Sequence, residues 1–183
     1  MLEKRIQERS LNIACIGIPK TIDNDIPIID KSFGFDTAVE VASKMIQAAN
    51  VEAESAPNGI GLVRLMGRNS GFIALQASMA SRDVNMCLIP EVDFEIDGEN
   101  GVLANIMKRV KAKRHCLVVV AEGADDAAVD LNLEKDGQKD AGGHVKHADL
   151  GAYLKKRIPK YAKEHFGTDY HVNLKYIDPT YAI

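Results

Sequence analysis

The chain has 183 residues, of which 46% are hydrophobic, and this is enough apolar material for one domain with a packed core. The formal net charge of -3 gives no reason to expect a nucleic acid or a membrane as a partner. No apolar run approaches the length needed to cross a bilayer, and the charged residues 1–6 exclude a secretory signal. We therefore expect a cytoplasmic domain.

The three cysteines support the same location. Cys15, Cys87 and Cys116 all lie inside apolar runs and show no paired spacing. This pattern predicts buried thiols in a reducing compartment rather than a disulfide framework or a zinc site.

The first half of the chain alternates between apolar runs and helical patterns. A short helix over residues 2–10 is followed by an apolar run over 11–18, which predicts a fully buried strand. Asp36 is a candidate cap for the next helix, and residues 58–65 form a second strand. Asn69 or Ser70 is expected to cap a helix that ends near residue 81.

The second half repeats this alternation. Strands are expected at 84–89, 115–121 and 172–177, with an acidic edge strand at 91–97. Helices are expected at 102–113 and 149–165, and the polar stretch 125–147 indicates a long surface loop. The order predicts an α/β fold: a Rossmann-like, mostly parallel sheet with helices on both faces.

A polar cluster follows the first predicted strand, at the position where open parallel sheets bind ligands. It contains Lys20, Thr21, Asp23 and Asp25. In an extended backbone Thr21, Asp23 and Asp25 would point to one side, so that one carboxylate could accept a proton and the other could help to hold Mg²⁺. An Asp- and Asn-rich turn that caps the next helix is the alternative, and it stays open.

Two later strand ends carry similar groups. Gly67 lets the backbone approach a ligand, and Arg68 can bind a phosphate beside a helix N-terminus. Glu122 could accept hydrogen bonds from sugar hydroxyls. The alternatives are a surface arginine and an exposed loop acid. His144 and His147 have metal-like spacing, but they lack an acidic or thiol companion, which favours solvated side chains.

Together these segments closely resemble the 6-phosphofructokinase family, and most of all its plant and trypanosomatid branch. The motifs are Gly17-Ile-Pro-Lys-Thr-Ile-Asp-Asn-Asp25, Phe33-Gly-Phe-Asp-Thr-Ala-Val-Glu40, Met66-Gly-Arg68, Ser70-Gly-Phe72, Val119-Val-Ala-Glu-Gly123 and Lys175-Tyr-Ile-Asp-Pro-Thr-Tyr181. The resemblance implies the phosphofructokinase fold and transfer of a phosphoryl group from ATP to the C1 hydroxyl of fructose 6-phosphate, with Mg²⁺. It also implies a glycolytic, cytoplasmic, allosteric kinase that is a homo-oligomer at full length.

The resemblance assigns roles by motif. Asp23 would be the proton acceptor, and Lys20 would neutralise charge on the transferred group. Asp25 would be a metal or structural neighbour. The substrate would be bound by Thr21, Ile22, Asp23, Met66, Gly67, Arg68, Glu122 and Tyr181.

The chain also departs from the family pattern. The glycine-rich loop that grips the phosphoryl donor is not found in it, and neither is the arginine expected after the segment that begins at Tyr181. Residues 1–183 are therefore expected to be a partial domain, truncated at both ends, that carries the acceptor-substrate side. A pyrophosphate-dependent enzyme, a non-catalytic remnant or partial subunit, and a regulatory sugar-phosphate domain are the alternatives.

Overall fold

The computed structural model describes residues 2–131 and 148–178. Its helices are α1 (Leu2–Glu8), α2 (Phe35–Ser55), α3 (Phe72–Ser81), α4 (Val102–Lys113) and α5 (Leu150–Phe166). Its strands are β1 (Gly59–Leu65), β2 (Met86–Leu88), β3 (His115–Ala121) and β4 (Asn173–Ile177). A short 3-10 helix, Glu122–Ala127, directly follows β3. Within these described residues, five helices and four of the six expected strands are present, and helices and strands alternate from α2 onward.

The four strands form one parallel sheet in the order β2-β3-β1-β4. Gly59 pairs with both His115 and Asn173, so that β1, β3 and β4 all begin at the same edge. Leu65 pairs with Ala121 at the opposite edge. The carboxyl ends of β1 and β3 therefore lie side by side, as the predicted parallel sheet requires.

Helices cover both faces of this sheet. Helix α2 packs with α3, and α4 packs with α5. Side chains of a strand alternate between the two faces. In β1, Gly61 faces the backbone of Ala49 in α2, whereas Arg64 contacts Asp149 at the start of α5. The two helix pairs therefore lie on opposite faces.

The almost entirely apolar sequence of β3 explains its position inside the sheet. Every residue of this strand from Cys116 to Ala121 is buried, because helices cover both of its sides. Burial raises the pKa of the Cys116 thiol to about 12. Cys87 is partly buried, and burial likewise raises the pKa of its thiol.

The predicted buried strand at residues 11–18 is wrong. The segment has no regular structure, and Ile13, Ile16 and Ile18 are 57%, 84% and 73% exposed. Cys15 is exposed as well, so the expected burial of all three thiols is also wrong. A strand needs a neighbour to satisfy its backbone, and none of the four described strands pairs with this segment.

The predicted edge strand at residues 91–97 is reduced to one bridge between Phe94 and Ala128. Asp130 explains the difference. Its carboxylate accepts hydrogen bonds from the backbone N–H groups of Ile96 and Asp97, both at 2.8 Å. A side chain therefore satisfies donors that a neighbouring strand would otherwise use.

The expected helix caps also differ. Helix α3 begins after Gly71, and neither Asn69 nor Ser70 caps it; instead Glu91 Oε1 accepts from the Gly71 N–H at 2.7 Å. Asp36 lies inside the first turn of α2 and pairs with Lys31 at 3.0 Å. Asp149, by contrast, caps α5 and accepts from the Ala152 N–H at 2.8 Å.

The start of the predicted surface loop 125–147 is partly buried. Asp125 belongs to the 3-10 helix and is 8% exposed, and its carboxylate accepts from the Ala148 N–H at 3.0 Å. His144 and His147 lie outside the described residues. No helix in the described part of the chain is long and apolar enough to span a bilayer.

Candidate active site

The two strand ends predicted to carry binding groups meet at the carboxyl edge of the sheet. Because β1 and β3 are neighbours, the segments that follow them run side by side, and the Gly123 N–H donates to the Gly67 carbonyl at 3.2 Å. A Cβ atom on Gly123 would overlap the carbonyl oxygen of Arg68. Only glycine permits this approach, so Gly123 allows Arg68 and Glu122 to lie close together.

One hydrogen bond joins the Asp23 loop to this pair. Ser70, which is 3% exposed, donates from Oγ to the backbone carbonyl of Asp23 at 3.1 Å. The side chain of Ile22 packs against the hydrophobic core and anchors the same loop. Thr21 and Met66 are partly buried beside these segments. The three predicted segments therefore converge, as the sequence argument required.

The Asp23 loop has a defined internal structure. The Thr21 hydroxyl accepts from the Asp23 N–H at 3.2 Å. Asn24 has a left-handed backbone with φ of 56°, and its Oδ1 accepts from the Ser32 N–H at 2.8 Å and from the Ser32 hydroxyl at 3.2 Å. The extended backbone that we expected is therefore interrupted at Asn24. As a result Asp23 is partly buried, whereas Asp25 is exposed.

The environment of Asp23 makes it a stronger base than an ordinary aspartate. Burial is the main cause that raises its pKa, and the negative charges of Asp25 and Glu122 raise it further. The positive charges of Arg68 and Lys20 act in the opposite direction. Asp23 is therefore within electrostatic reach of the other four ionisable groups predicted for the site, although Lys20 itself is exposed.

The structure adds a residue that the sequence argument missed. The guanidinium of Arg64 lies 3.7 Å from Glu122, 3.7 Å from Asp149 and 3.1 Å from Asp178. Burial lowers the pKa of Arg64, but the three carboxylates outweigh this effect and raise it. The only signal in the sequence was a lone charge inside an apolar strand.

The fit to Mg²⁺ is partial. Within residues 2–131 and 148–178, no group of three or more His, Cys, Asp or Glu side chains is arranged to hold a metal ion. Magnesium usually keeps several waters and takes one or two carboxylates together with substrate phosphates. Asp25, which is exposed beside Asp23, fits such a partial set, and its role as a ligand stays a prediction. Tyr181 lies outside the described residues.

Comparison with known proteins identifies the family. The profile of the family described as Phosphofructokinase matches residues 2–174. The chain is 53% identical over 181 residues to ATP-dependent 6-phosphofructokinase 1 of Arabidopsis thaliana, covering 98% of this chain and 37% of that protein. It is 45% identical over 189 residues to ATP-dependent 6-phosphofructokinase of Borreliella burgdorferi, covering 100% of this chain and 41% of that protein.

Solved structures agree on the fold. The pyrophosphate-dependent phosphofructokinase of Nitrosospira multiformis aligns with a TM-score of 0.65 at 24% identity, covering 99% of this chain and 41% of that one. The phosphofructokinase of Saccharomyces cerevisiae aligns with a TM-score of 0.61 at 20% identity, covering 99% and 22%. The chain thus spans well under half the length of these relatives. Since the family profile runs through nearly the whole chain and includes all three converging segments, the chain belongs to the phosphofructokinase family.

Proposed function

We propose that this chain carries the fructose 6-phosphate side of an ATP-dependent 6-phosphofructokinase. The observation that carries the proposal is the position of Asp23, a partly buried carboxylate with a raised pKa that lies within electrostatic reach of Arg68, Lys20 and Glu122. A base beside cations at the carboxyl edge of a parallel sheet suits phosphoryl transfer, which depends on positioning and charge stabilisation.

In the proposed reaction, Asp23 accepts the proton of the C1 hydroxyl as its oxygen attacks the γ-phosphorus of ATP. The new bond joins this oxygen to phosphorus, and the bond between phosphorus and the β,γ-bridging oxygen breaks, so that ADP leaves with the electron pair. Magnesium, when bound, would neutralise charge on the phosphates. Lys20 would offset charge on the transferred group, since it lies on the same loop as Asp23.

The remaining predicted residues would bind fructose 6-phosphate. Arg68 supplies a cation for its phosphate, and Glu122 supplies a carboxylate that accepts hydrogen bonds from sugar hydroxyls. The close packing of Gly67 and Gly123 supports a narrow cradle at this point. Thr21, Ile22 and Met66 would form its wall. Tyr181 is proposed as a further substrate contact from its motif alone.

The relatives favour ATP over pyrophosphate as the donor. Proteins that are 44–53% identical to the chain, including one from Amycolatopsis methanolica, are named ATP-dependent. The pyrophosphate-dependent proteins among the solved structures are only 22–24% identical and inform on the fold alone. We also propose a cytoplasmic, homo-oligomeric and allosterically regulated parent enzyme, noting that two of the plant relatives are named chloroplastic.

The second candidate function is binding without turnover. It is favoured by one observation: the described residues proposed above lie on the fructose 6-phosphate side, in a chain that spans 33–41% of the length of its curated relatives. Such a chain would retain affinity for fructose 6-phosphate, because Arg68 and Glu122 belong to it, and would transfer no phosphoryl group.

The test is turnover of the full chain with fructose 6-phosphate, Mg²⁺ and either ATP or pyrophosphate, together with calorimetric titration of fructose 6-phosphate. We expect Asp23→Asn to lower kcat by at least ~10²-fold, since the base is lost, and to leave Kd within about 3-fold. Asp30→Asn, at an exposed acid of the same loop, is the matched control and should behave as wild type. Binding without turnover in the wild type supports the second candidate, and an absence of binding rejects both.

A further inference from the structure

Arg64 occupies an unusual position for a charged residue. It is the penultimate residue of β1, the strand that lies between β3 and β4, and its side chain is only 15% exposed. Three carboxylates surround its guanidinium: Glu122 at the end of β3, Asp149 at the start of α5 and Asp178 at the end of β4. Three elements of the fold therefore meet at one cation.

The surroundings of Arg64 argue against a direct role in phosphate binding. One guanidinium faces three carboxylates, so an incoming phosphate would meet a net negative environment. The Nη1 atom already donates to Asp178 at 3.1 Å, and the Nε atom lies 3.7 Å from Asp149. A guanidinium held by several acids in a fixed plane is restrained, not available to turn toward a ligand.

Glu122 links this cluster to the candidate site. Its carboxylate lies 3.7 Å from Nη2 of Arg64, and its charge also acts on Asp23. Glu122 is the first residue after β3, where the chain leaves the sheet and enters a 3-10 helix. Its backbone is therefore not held by the hydrogen bonds that pair β3 with β1. The guanidinium of Arg64, on the neighbouring strand, lies close enough to this carboxylate to orient it.

We propose that Arg64 is a positioning residue that holds the Glu122 carboxylate in place for the sugar hydroxyls of the substrate. Asp149 and Asp178 keep the guanidinium fixed, and the guanidinium in turn fixes Glu122. This inference rests on the proposed function, because it takes fructose 6-phosphate as the ligand of Glu122.

The loss of this contact should weaken binding. We expect Arg64→Met to raise the Kd for fructose 6-phosphate about 10-fold, which corresponds to about 1.4 kcal/mol. Arg64→Lys keeps the charge but lacks the planar fork, so we expect a rise of about 3-fold. The lysine variant also serves if the methionine variant, which leaves three acids unneutralised, fails to fold.

A double-mutant cycle in the full chain separates positioning from a merely structural role. Calorimetric titration with fructose 6-phosphate is applied to wild type, R64M, E122Q and the double variant, with R64K replacing R64M if needed. If Arg64 acts through Glu122, E122Q alone should raise Kd about 10-fold or more, and the double variant should stay within about 2-fold of E122Q. Arg157→Met is the matched control, because Arg157 is another partly buried arginine that pairs with two carboxylates, those of Asp97 and Glu164, and none of these residues belongs to the candidate site; its Kd should match wild type.

The outcomes are distinct. The positioning role is overturned if the effects of the two substitutions add in the double variant, or if R64M and R64K bind fructose 6-phosphate with the same Kd as the wild type. In either case, binding of fructose 6-phosphate by the wild-type protein still supports the proposed function. An absence of fructose 6-phosphate binding in the wild type overturns the proposed function, and this inference with it.

Discussion

Gly123→Ala tests the close approach on which the candidate site depends. The new Cβ would lie well inside 3.0 Å of the Arg68 carbonyl oxygen, a separation that real Cβ atoms essentially never show. The neighbour is backbone and cannot rotate away, so the ends of β1 and β3 must separate and the Gly123–Gly67 hydrogen bond is strained. Overpacking costs about 1–3 kcal/mol and a lost hydrogen bond about 1 kcal/mol, which together predict a loss of about 2–4 kcal/mol.

Thermal and urea unfolding of the full chain measure this loss. For a domain of this size we expect Tm to fall by roughly 5–15 °C. The Kd for fructose 6-phosphate should also rise, because Arg68 must move. Gly17→Ala is the control: a Cβ there meets no atom within 4 Å, so its effect should stay within about 0.5 kcal/mol. A Gly123→Ala variant that melts within about 1 °C of wild type would refute the proposed packing of the two strand ends.

Three further predictions concern the Asp23 loop. Because the folded state raises the pKa of Asp23, mainly through burial, the charged carboxylate destabilises the fold at neutral pH. Asp23→Asn should therefore raise Tm at pH 7. Thermal melts across pH should show that this gain vanishes as the pH falls toward the unfolded pKa of 3.8. Asn24→Ala loses both hydrogen bonds to Ser32 and strains a left-handed backbone, so it should cost about 2–3 kcal/mol in urea unfolding, whereas Asn24→Gly should cost about half as much. Ser70→Ala leaves the Asp23 carbonyl without its donor and should cost about 1–3 kcal/mol; an unchanged urea midpoint would show that this bond is replaced by water.

Much of the fold follows from local patterns in the sequence. The strand His115–Ala121 and the helix Val102–Lys113 have the predicted bounds, because a buried parallel strand is apolar throughout and an amphipathic helix repeats its apolar residues. The run 11–18 has the same apolar character as β3 and yet forms no strand. An apolar run becomes a buried strand only where a neighbouring strand pairs with its backbone. Whether such a neighbour exists depends on residues far away in the sequence.

Part of the candidate site could likewise be predicted from local patterns in the sequence, and part could not. Asp23, Arg68 and Glu122 were predicted because each follows an apolar run, and the parallel pairing of β1 with β3 brings two of them together. Arg64 was missed, because the residues near it in the sequence do not indicate that carboxylates from three distant elements will surround it. The interruption of the loop at Asn24 was missed too, because it depends on a hydrogen bond to Ser32, eight residues away.

The common starting edge of the strands has a practical consequence for labelling. β1, β3 and β4 all begin beside Gly59, and none of the candidate site residues within the described part of the chain lies at that edge. A strand of seven residues spans roughly 20 Å. A fluorophore attached at exposed residues near the start of β1 would therefore report the binding of a ligand that carries a matching acceptor dye, by energy transfer and without touching the residues that bind the ligand.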